Sequence, residues 1–376
     1  MNTTATHIPS RPTREPSSTS DLRVSHFTPL PAPTALTAQL PVDAEAAAVV
    51  GRGRDEVRAV LDGVDDRLLV IVGPCSIHDP KAGLEYARRL ASQAERHRED
   101  LLIVMRAYFE KPRTTVGWKG LINDPGLDGS HDVAAGLRMA REFLLQVAGL
   151  GMPAGTEFLE PISPQYLADL VSWGAIGART TESQIHRQLA SGLSMPVGFK
   201  NGTDGGLQVA LDACASSSAA QSFLGIDAQG RAALVATSGN PDTHVILRGG
   251  RPGPNYSARD VAAASVKLAG SGLNPRLVID ASHANSGKSH HRQAEVALEI
   301  GAQLEAGASA QPIAGIMLES FLRGGAQTLD VAEVAAGNAS LAYGQSVTDA
   351  CMDWDVTVTV LENLARSSRR RRTGVS

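Results

Sequence analysis

The sequence predicts an α/β fold built as a (β/α)8 barrel, and three observations lead there. Between residues 71 and 319 a short apolar, strand-like run alternates with a helix-length segment about eight times. The runs are apolar throughout, the pattern of parallel strands buried on both faces. Each run also ends in a charged or metal-capable residue, and in such barrels the active site lies at the carboxyl ends of the strands. The expected architecture is therefore a TIM barrel, extended at its amino end and carrying one inserted β-hairpin.

Taken in order, residues 1–20 are rich in Ser, Thr, Pro and Arg and are expected to be a disordered tail. Residues 21–66 form an N-terminal extension. In it 22–40 mixes apolar residues with Pro, and 43–61 reads as a helix that covers the barrel's amino end or reaches a neighbouring subunit. The catalytic barrel is assigned to 67–365. Its runs are 68–73 leading to Cys75, 101–105 to Arg106, 152–155 to Glu157, and 175–178 to Arg179. The others are 197–199 leading to Lys200, 245–247 to Arg248, 277–279 to Asp280 and His283, and 313–318 to Glu319. After Arg179, Thr181-Glu182-Ser183-Gln184 reads as a capping box, with Gly192 closing the helix. A helix over about 207–222 follows Lys200. The insertion then occupies 222–240, where runs at 222–226 and 232–236 flank Asp227-Ala228-Gln229-Gly230 and read as a hairpin. Such an addition serves regulation or assembly, or is loop decoration. The last segment, 366–376, carries Arg366, Arg369, Arg370, Arg371 and Arg372 and is expected to be a basic, disordered, solvated tail.

Composition narrows the function. A length of 376 residues exceeds the ~250 of a typical barrel, so the surplus belongs to extensions and insertions. The formal charge of −4 excludes a protein whose partner is nucleic acid bound through phosphate neutralisation. No apolar stretch approaches the ~20 residues of a membrane span, and no signal pattern opens the chain, so a cytoplasmic protein without membrane contact is expected. Cys75, Cys214 and Cys351 are an odd number, which fits free thiols in a reducing compartment.

The strand ends define the chemistry. Arg106, Arg179, Lys200 and Arg248 would converge on one rim and suit phosphate and carboxylate groups, guanidinium by paired hydrogen bonds and ammonium as a point charge. Arg113 and Thr114, in the segment after Arg106, suggest a second phosphate. The Gly-rich turn 200–206 at a helix start would offer free amides to an anion. Cys75, His283, Glu319 and Asp349 make a mixed sulfur, nitrogen and oxygen set suited to a divalent ion such as Mn, Fe, Co or Zn, although no local spacing announces it. Two phosphorylated substrates beside a Lewis acid suit carbon-carbon bond formation between an enol phosphate and an aldehyde.

Several blocks carry a family resemblance. They are Gly73-Pro74-Cys75-Ser76-Ile77-His78-Asp79, Tyr108-Phe109-Glu110-Lys111-Pro112-Arg113-Thr114-Thr115-Val116-Gly117-Trp118-Lys119-Gly120, Gly177-Ala178-Arg179-Thr180-Thr181-Glu182-Ser183, Gly198-Phe199-Lys200-Asn201-Gly202-Thr203-Asp204-Gly205, Ile246-Leu247-Arg248-Gly249-Gly250, Ser282-His283-Ala284-Asn285-Ser286 and Thr348-Asp349-Ala350-Cys351. Over about residues 25–365 the chain resembles the type I (microbial) 3-deoxy-D-arabino-heptulosonate 7-phosphate synthases, the entry enzymes of the shikimate pathway. The resemblance implies metal-dependent condensation of phosphoenolpyruvate with erythrose 4-phosphate, releasing phosphate. It implies metal ligation by Cys75, His283, Glu319 and Asp349, and phosphoenolpyruvate binding by Arg106, Ala178, Arg179, Lys200 and Arg248. Arg113 and Thr114 would take the erythrose phosphate, with Lys111 and Glu157 beside the reacting atoms and Lys200 and His283 also catalytic.

The same resemblance implies feedback by an aromatic amino acid bound near the hairpin and a neighbouring subunit, at Glu160, Pro164, Gln165, Ser194, Phe223, Gly225 and Val235. In the family Ser at the Gly225 position goes with phenylalanine and Gly with tyrosine, so tyrosine is expected; phenylalanine and tryptophan stay as alternatives. A homodimer or homotetramer is expected. Cys351, two residues after Asp349, would approach Cys75 closely enough for a disulfide that removes the metal thiolate. The nearest rival is a sister synthase using arabinose 5-phosphate, which the 111–120 block disfavours; a catalytically dead amino-acid sensor is a second.

Overall fold

A computed structural model describes residues 19–306 and 312–373. The expectation for residues 1–18 lies outside them. Helix α1 (Pro33–Gln39) and helix α2 (Ala44–Leu61) precede the barrel. Asp43 caps α2, its carboxylate accepting the Ala46 amide at 2.8 Å. Strands and helices then alternate: β1 (Leu68–Gly73), α3 (Pro80–Arg96), β2 (Leu101–Arg106), α4 (Val133–Gly149), β3 (Ala154–Glu157), α5 (Pro164–Leu167) with a short 3₁₀ turn, β4 (Trp173–Ile176), α6 (Gln184–Ser191), β5 (Val197–Lys200) and α7 (Gln208–Ser218). A hairpin of β6 (Ser222–Ile226) and β7 (Ala232–Ala236) intervenes. The rest are β8 (Thr243–Leu247), α8 (Ala258–Gly270), β9 (Leu277–Asp280), α9 (His290–Ala306), β10 (Ile313–Glu319), α10 (Val331–Ala335) and α11 (Trp354–Thr373).

Eight parallel strands close in the order β1-β10-β9-β8-β5-β4-β3-β2. Their side chains alternate between two apolar layers. Leu69, Ile71, Val104, Ile246, Val278 and Met317 fill the barrel interior, whereas Leu68, Val70, Val72 and Ile279 face the outer helices. Val57, Val60 and Leu61 join the interior cluster, so α2 plugs the amino end of the barrel. Arg54 ties it there, donating to the Ala168 and Val171 carbonyls at 2.7 and 3.0 Å. The plugged end leaves the carboxyl end as the open mouth.

The hairpin pairs as expected, Ser222 opposite Ala236 and Ile226 opposite Ala232. Two local expectations are corrected. Thr181 is not a cap: its hydroxyl donates to the Gly177 and Lys200 carbonyls, α6 starts at Gln184, and the Ser183 hydroxyl meets His186 Nδ1 at 2.9 Å. Gly192 does close that helix. The basic C-terminus is not a solvated tail through residue 373. There α11 continues because buried Asp100 takes Arg369 and Arg372, while Glu305 takes Arg370 at 2.9 Å and the Ser367 hydroxyl at 2.7 Å. Residues 374–376 lie outside the description.

Two predictions follow from this packing. Asp100→Ala removes the buried carboxylate shared by Arg369 and Arg372 and should cost about 2 kcal/mol of stability, read by denaturant unfolding; an unchanged midpoint would restore the solvated-tail reading. Inside the barrel, Trp173 Nε1 donates to His244 Nε2 at 3.2 Å, and burial lowers His244 to about 4. The fold therefore binds neutral imidazole, while the unfolded chain takes a proton near pH 6.5. Stability should fall by up to about 3 kcal/mol as pH drops from ~6.5 to ~4, and His244→Gln should flatten that slope.

Candidate active site

The strand ends deliver their residues to one mouth. A cavity of about 240 Å³ there is lined by Lys111, Arg113, Thr114, Glu157, Ala178, Arg179, Lys200, Arg248, His283 and Asp349, all expected from the sequence. Pro112, Thr115, Val116, Gly177, Thr203 and Lys288 complete its wall. Gly177 leaves room for the Glu157 carboxylate, which a Cβ there would crowd.

Beside this cavity lie a thiol and two carboxyl groups, that of Asp349 also lining the cavity wall. Atoms of Cys75, Glu319 and Asp349 fall within 4.8 Å of one another, Cys75 and Glu319 being buried. Each has a cationic neighbour: Lys111 Nζ lies 3.1 Å from Cys75 Sγ, Arg106 donates to Glu319 Oε1 at 3.0 Å, and Lys288 Nζ is 3.8 Å from Asp349 Oδ1. Burial, then the Glu319 charge, pushes the Cys75 thiol up. Burial opposes the charge on Lys111, but Cys75 and Glu319 outweigh it and raise its pKa. Gln293 fixes Glu319 through both backbone groups, at 2.7 and 2.8 Å. This donor set, with thiol and carboxylates gathered on one point, fits a divalent metal.

His283 lines the cavity but is not part of the 4.8 Å cluster. Its Nδ1 lies 2.9 Å from Asp280 Oδ2, and its backbone is left-handed at φ 58°, as is Lys288 at φ 63°. Arg106 also departs from a simple reading as a rim cation. It is fully buried under the mouth, its guanidinium 3.6 Å from the Tyr108 ring centre and its Nε unpartnered. The Gly-rich turn does not present free amides at Gly202, Gly205 and Gly206, which bond to the Gly206 carbonyl, the Gly202 carbonyl and Asp204 Oδ1. Cys351 is free, as are Cys75 and Cys214, and its sulfur accepts the Cys75 amide at 3.4 Å.

Asp280 is the residue that sequence reasoning left unassigned, although it ends an apolar strand three positions before His283. Its Oδ2 takes Lys200 Nζ at 2.8 Å as well as His283. Burial alone would raise it, but His283 and Lys200 hold its carboxyl well below the usual carboxylate range. Lys288 was also missed, and its place inside the 282–288 loop was its one signal. Asn201 positions Arg248, accepting its amide at 2.8 Å.

Comparison with known proteins decides between the synthases. Residues 39–362 match the DAHP synthetase I family. The chain belongs to that family. It is thus a DAHP synthase, catalysing the first step of the shikimate pathway. A phospho-2-dehydro-3-deoxyheptonate aldolase of Corynebacterium glutamicum is 56% identical over 94% of this chain and 96% of its own length. The Phe-sensitive enzyme of Escherichia coli K12 is 52% identical over 94% and 98%, and a tyrosine-inhibited one of Schizosaccharomyces pombe 48% over 97% and 97%. The solved aldolase of Francisella tularensis superposes with a TM-score of 0.88 at 46% identity, covering 93% of this chain and 99% of that one. No described helix is long and apolar enough to cross a membrane.

Away from this DAHP synthase mouth, a second cavity of about 430 Å³ lies under the hairpin. Pro164, Gln165, Ser194, Phe223, Gly225 and Val235 line it, with Arg54 and Pro161; Glu160 does not. The Glu160 side chain is exposed, and its amide donates to Glu110 at 3.0 Å.

Proposed function

We propose that this DAHP synthase condenses phosphoenolpyruvate with erythrose 4-phosphate on a divalent ion held by Cys75, Glu319, Asp349 and His283, with Mn, Fe or Co as candidates and Zn admissible. The observation that carries this reading is the thiol-carboxylate cluster of Cys75, Glu319 and Asp349, the last of which also lines the cation-rich cavity. The ion would supply Lewis-acid polarisation of the aldehyde oxygen. Arg179, Lys200, Arg248 and the Ala178 backbone hold phosphoenolpyruvate from the walls, and Arg106 adds charge from below. Arg113 and Thr114, at the outer wall, take the phosphate of erythrose 4-phosphate.

With both substrates so held, C3 of phosphoenolpyruvate forms the new bond to the aldehyde carbon. Water then adds at C2, and Glu157, whose buried Oε1 has no other partner, is placed to accept its proton. The resulting hemiketal phosphate breaks its C–O bond, leaving the ketone and inorganic phosphate. Arg179 and Arg248 stabilise the charge that departs. Lys111, between the thiol and the cavity, holds a proton beside the new alkoxide.

Phosphate release from the two substrates by chelator-stripped enzyme, with and without Mn, tests the reaction. Release should require both substrates and the metal. Cys75→Ser should lose at least ~100-fold in activity and in metal affinity at an unchanged melting temperature; full activity at low free metal would sink its ligand role.

We also infer feedback by tyrosine at the hairpin cavity. Relatives named as sensitive to tyrosine, phenylalanine and tryptophan support an aromatic effector in general. Gly225 lines that cavity, and the family resemblance in which Gly at this position goes with tyrosine supports tyrosine. Gly225→Ser should move inhibition from tyrosine toward phenylalanine. Equal inhibition of the parent by both would rule this reasoning out. Leu224 and Leu234, paired on the outer hairpin face and 90% and 72% exposed, support a homodimer or homotetramer that covers them, and the free cysteines support a reducing cytoplasm.

A further inference from the structure

We propose that Asp280 is a positioning residue whose single buried carboxylate orients His283 toward the metal and fixes Lys200 against the cavity. The inference rests on the reading of His283 and Lys200 given above and names the group that makes both effective.

Asp280 is the last residue of β9, in register with Met317 of β10, and its side chain is fully buried. Its Oδ2 receives Lys200 Nζ at 2.8 Å and His283 Nδ1 at 2.9 Å, and its Oδ1 receives the Ser282 amide at 3.0 Å and the Ser282 hydroxyl. With donors on both oxygens the carboxylate has no freedom to turn. Its own carbonyl is held by Asn285 Nδ2 at 2.8 Å, so strand and loop move as one.

Two consequences follow for the groups it touches. A carboxylate at Nδ1 places the imidazole proton there and leaves Nε2 as the lone-pair nitrogen, the form a metal requires. His283 Nδ1 also lies 2.8 Å from Ser282 Oγ, whose hydroxyl is itself donated to Asp280 Oδ1, so both neighbours of that nitrogen are tied to the one carboxylate. Lys200, in turn, is 4% exposed and lines the cavity, so its ammonium is fixed at a substrate wall by a partner that is not substrate.

The test compares the full-length parent with Asp280→Asn, His283→Ala and the double variant, reading Mn affinity by chelator competition, kcat at saturating Mn, and the melting temperature. Asp280→Asn should bind Mn about 10–100-fold more weakly. The double variant should bind no more weakly than His283→Ala, because the carboxylate acts on the metal only through that ring. At saturating Mn, Asp280→Asn should stay at least ~10-fold below the parent in kcat, since Lys200 remains unfixed. Parent-like Mn affinity in Asp280→Asn, or additive losses in the double variant, would overturn the His283 arm, and full recovery of kcat by Mn would overturn the Lys200 arm. Unchanged Mn affinity in His283→Ala would instead overturn the ligand reading and this proposal with it. Should Asp280→Asn fail to fold around an unpaired ammonium, Asp280→Asn/Lys200→Met against Lys200→Met alone keeps the metal readout, and equal affinity there would overturn the His283 arm.

Discussion

The structure depends on charge balance in a buried space. Glu319 and Asp280 are buried carboxyl groups at the carboxyl end of the barrel, opposed by buried Arg106 and Lys200, while buried Lys111 stands against the Cys75 thiol. Leaving one such charge without its partner costs roughly 3–5 kcal/mol, a large share of the 5–15 kcal/mol that holds a domain together. The pairs therefore constrain one another: Arg106 serves Glu319, Lys111 serves Cys75, and Lys200 serves Asp280. A closed parallel barrel is suited to carry this load, because the strand ends are fixed on both sides by ladder hydrogen bonds. The apolar layers below exist to hold those ends still. The plug formed by Val57, Val60 and Leu61 completes the arrangement by sealing the opposite end against water.

Much of this was legible in sequence, and the reason is periodicity. An apolar run that ends in Lys200 or Glu319 states both its burial and the end at which its reactive group emerges, so the barrel and most of the cavity wall followed from local pattern. The hairpin was legible for the same reason, since Asp227 and Gly230 mark its turn between alternating runs. Asp43 likewise announced its helix.

What escaped was long-range pairing. The arginines of α11 look like a solvated tail until Asp100, more than 250 positions away, is brought beneath them. Thr181 has the spacing of a cap, but the Lys200 carbonyl on the next strand takes its hydroxyl instead. Arg106 reads as a rim cation, yet Glu319 and the Tyr108 ring hold it beneath the mouth. In each case the local rule was sound and a distant partner outbid it. Asp280 escaped for the opposite reason: nothing in a strand-ending carboxylate distinguishes a residue facing substrate from one that orients two others.

One chain segment also connects the walls of the two cavities. Residues 157–165 run from Glu157, on the wall of the active-site mouth, to Pro164 and Gln165, on the wall of the hairpin cavity. Midway, the Glu160 amide and the Ser163 hydroxyl donate to Glu110 at 3.0 and 2.9 Å. Glu110 is buried and directly precedes Lys111, and burial pushes its carboxyl up to about 8 against those donors. Glu110 thus hydrogen-bonds the 160–163 segment from the position next to Lys111 in the chain. The segment that walls the hairpin cavity at Pro164 and Gln165 is therefore tied, through Glu110, to the loop bearing Lys111, Arg113 and Thr114.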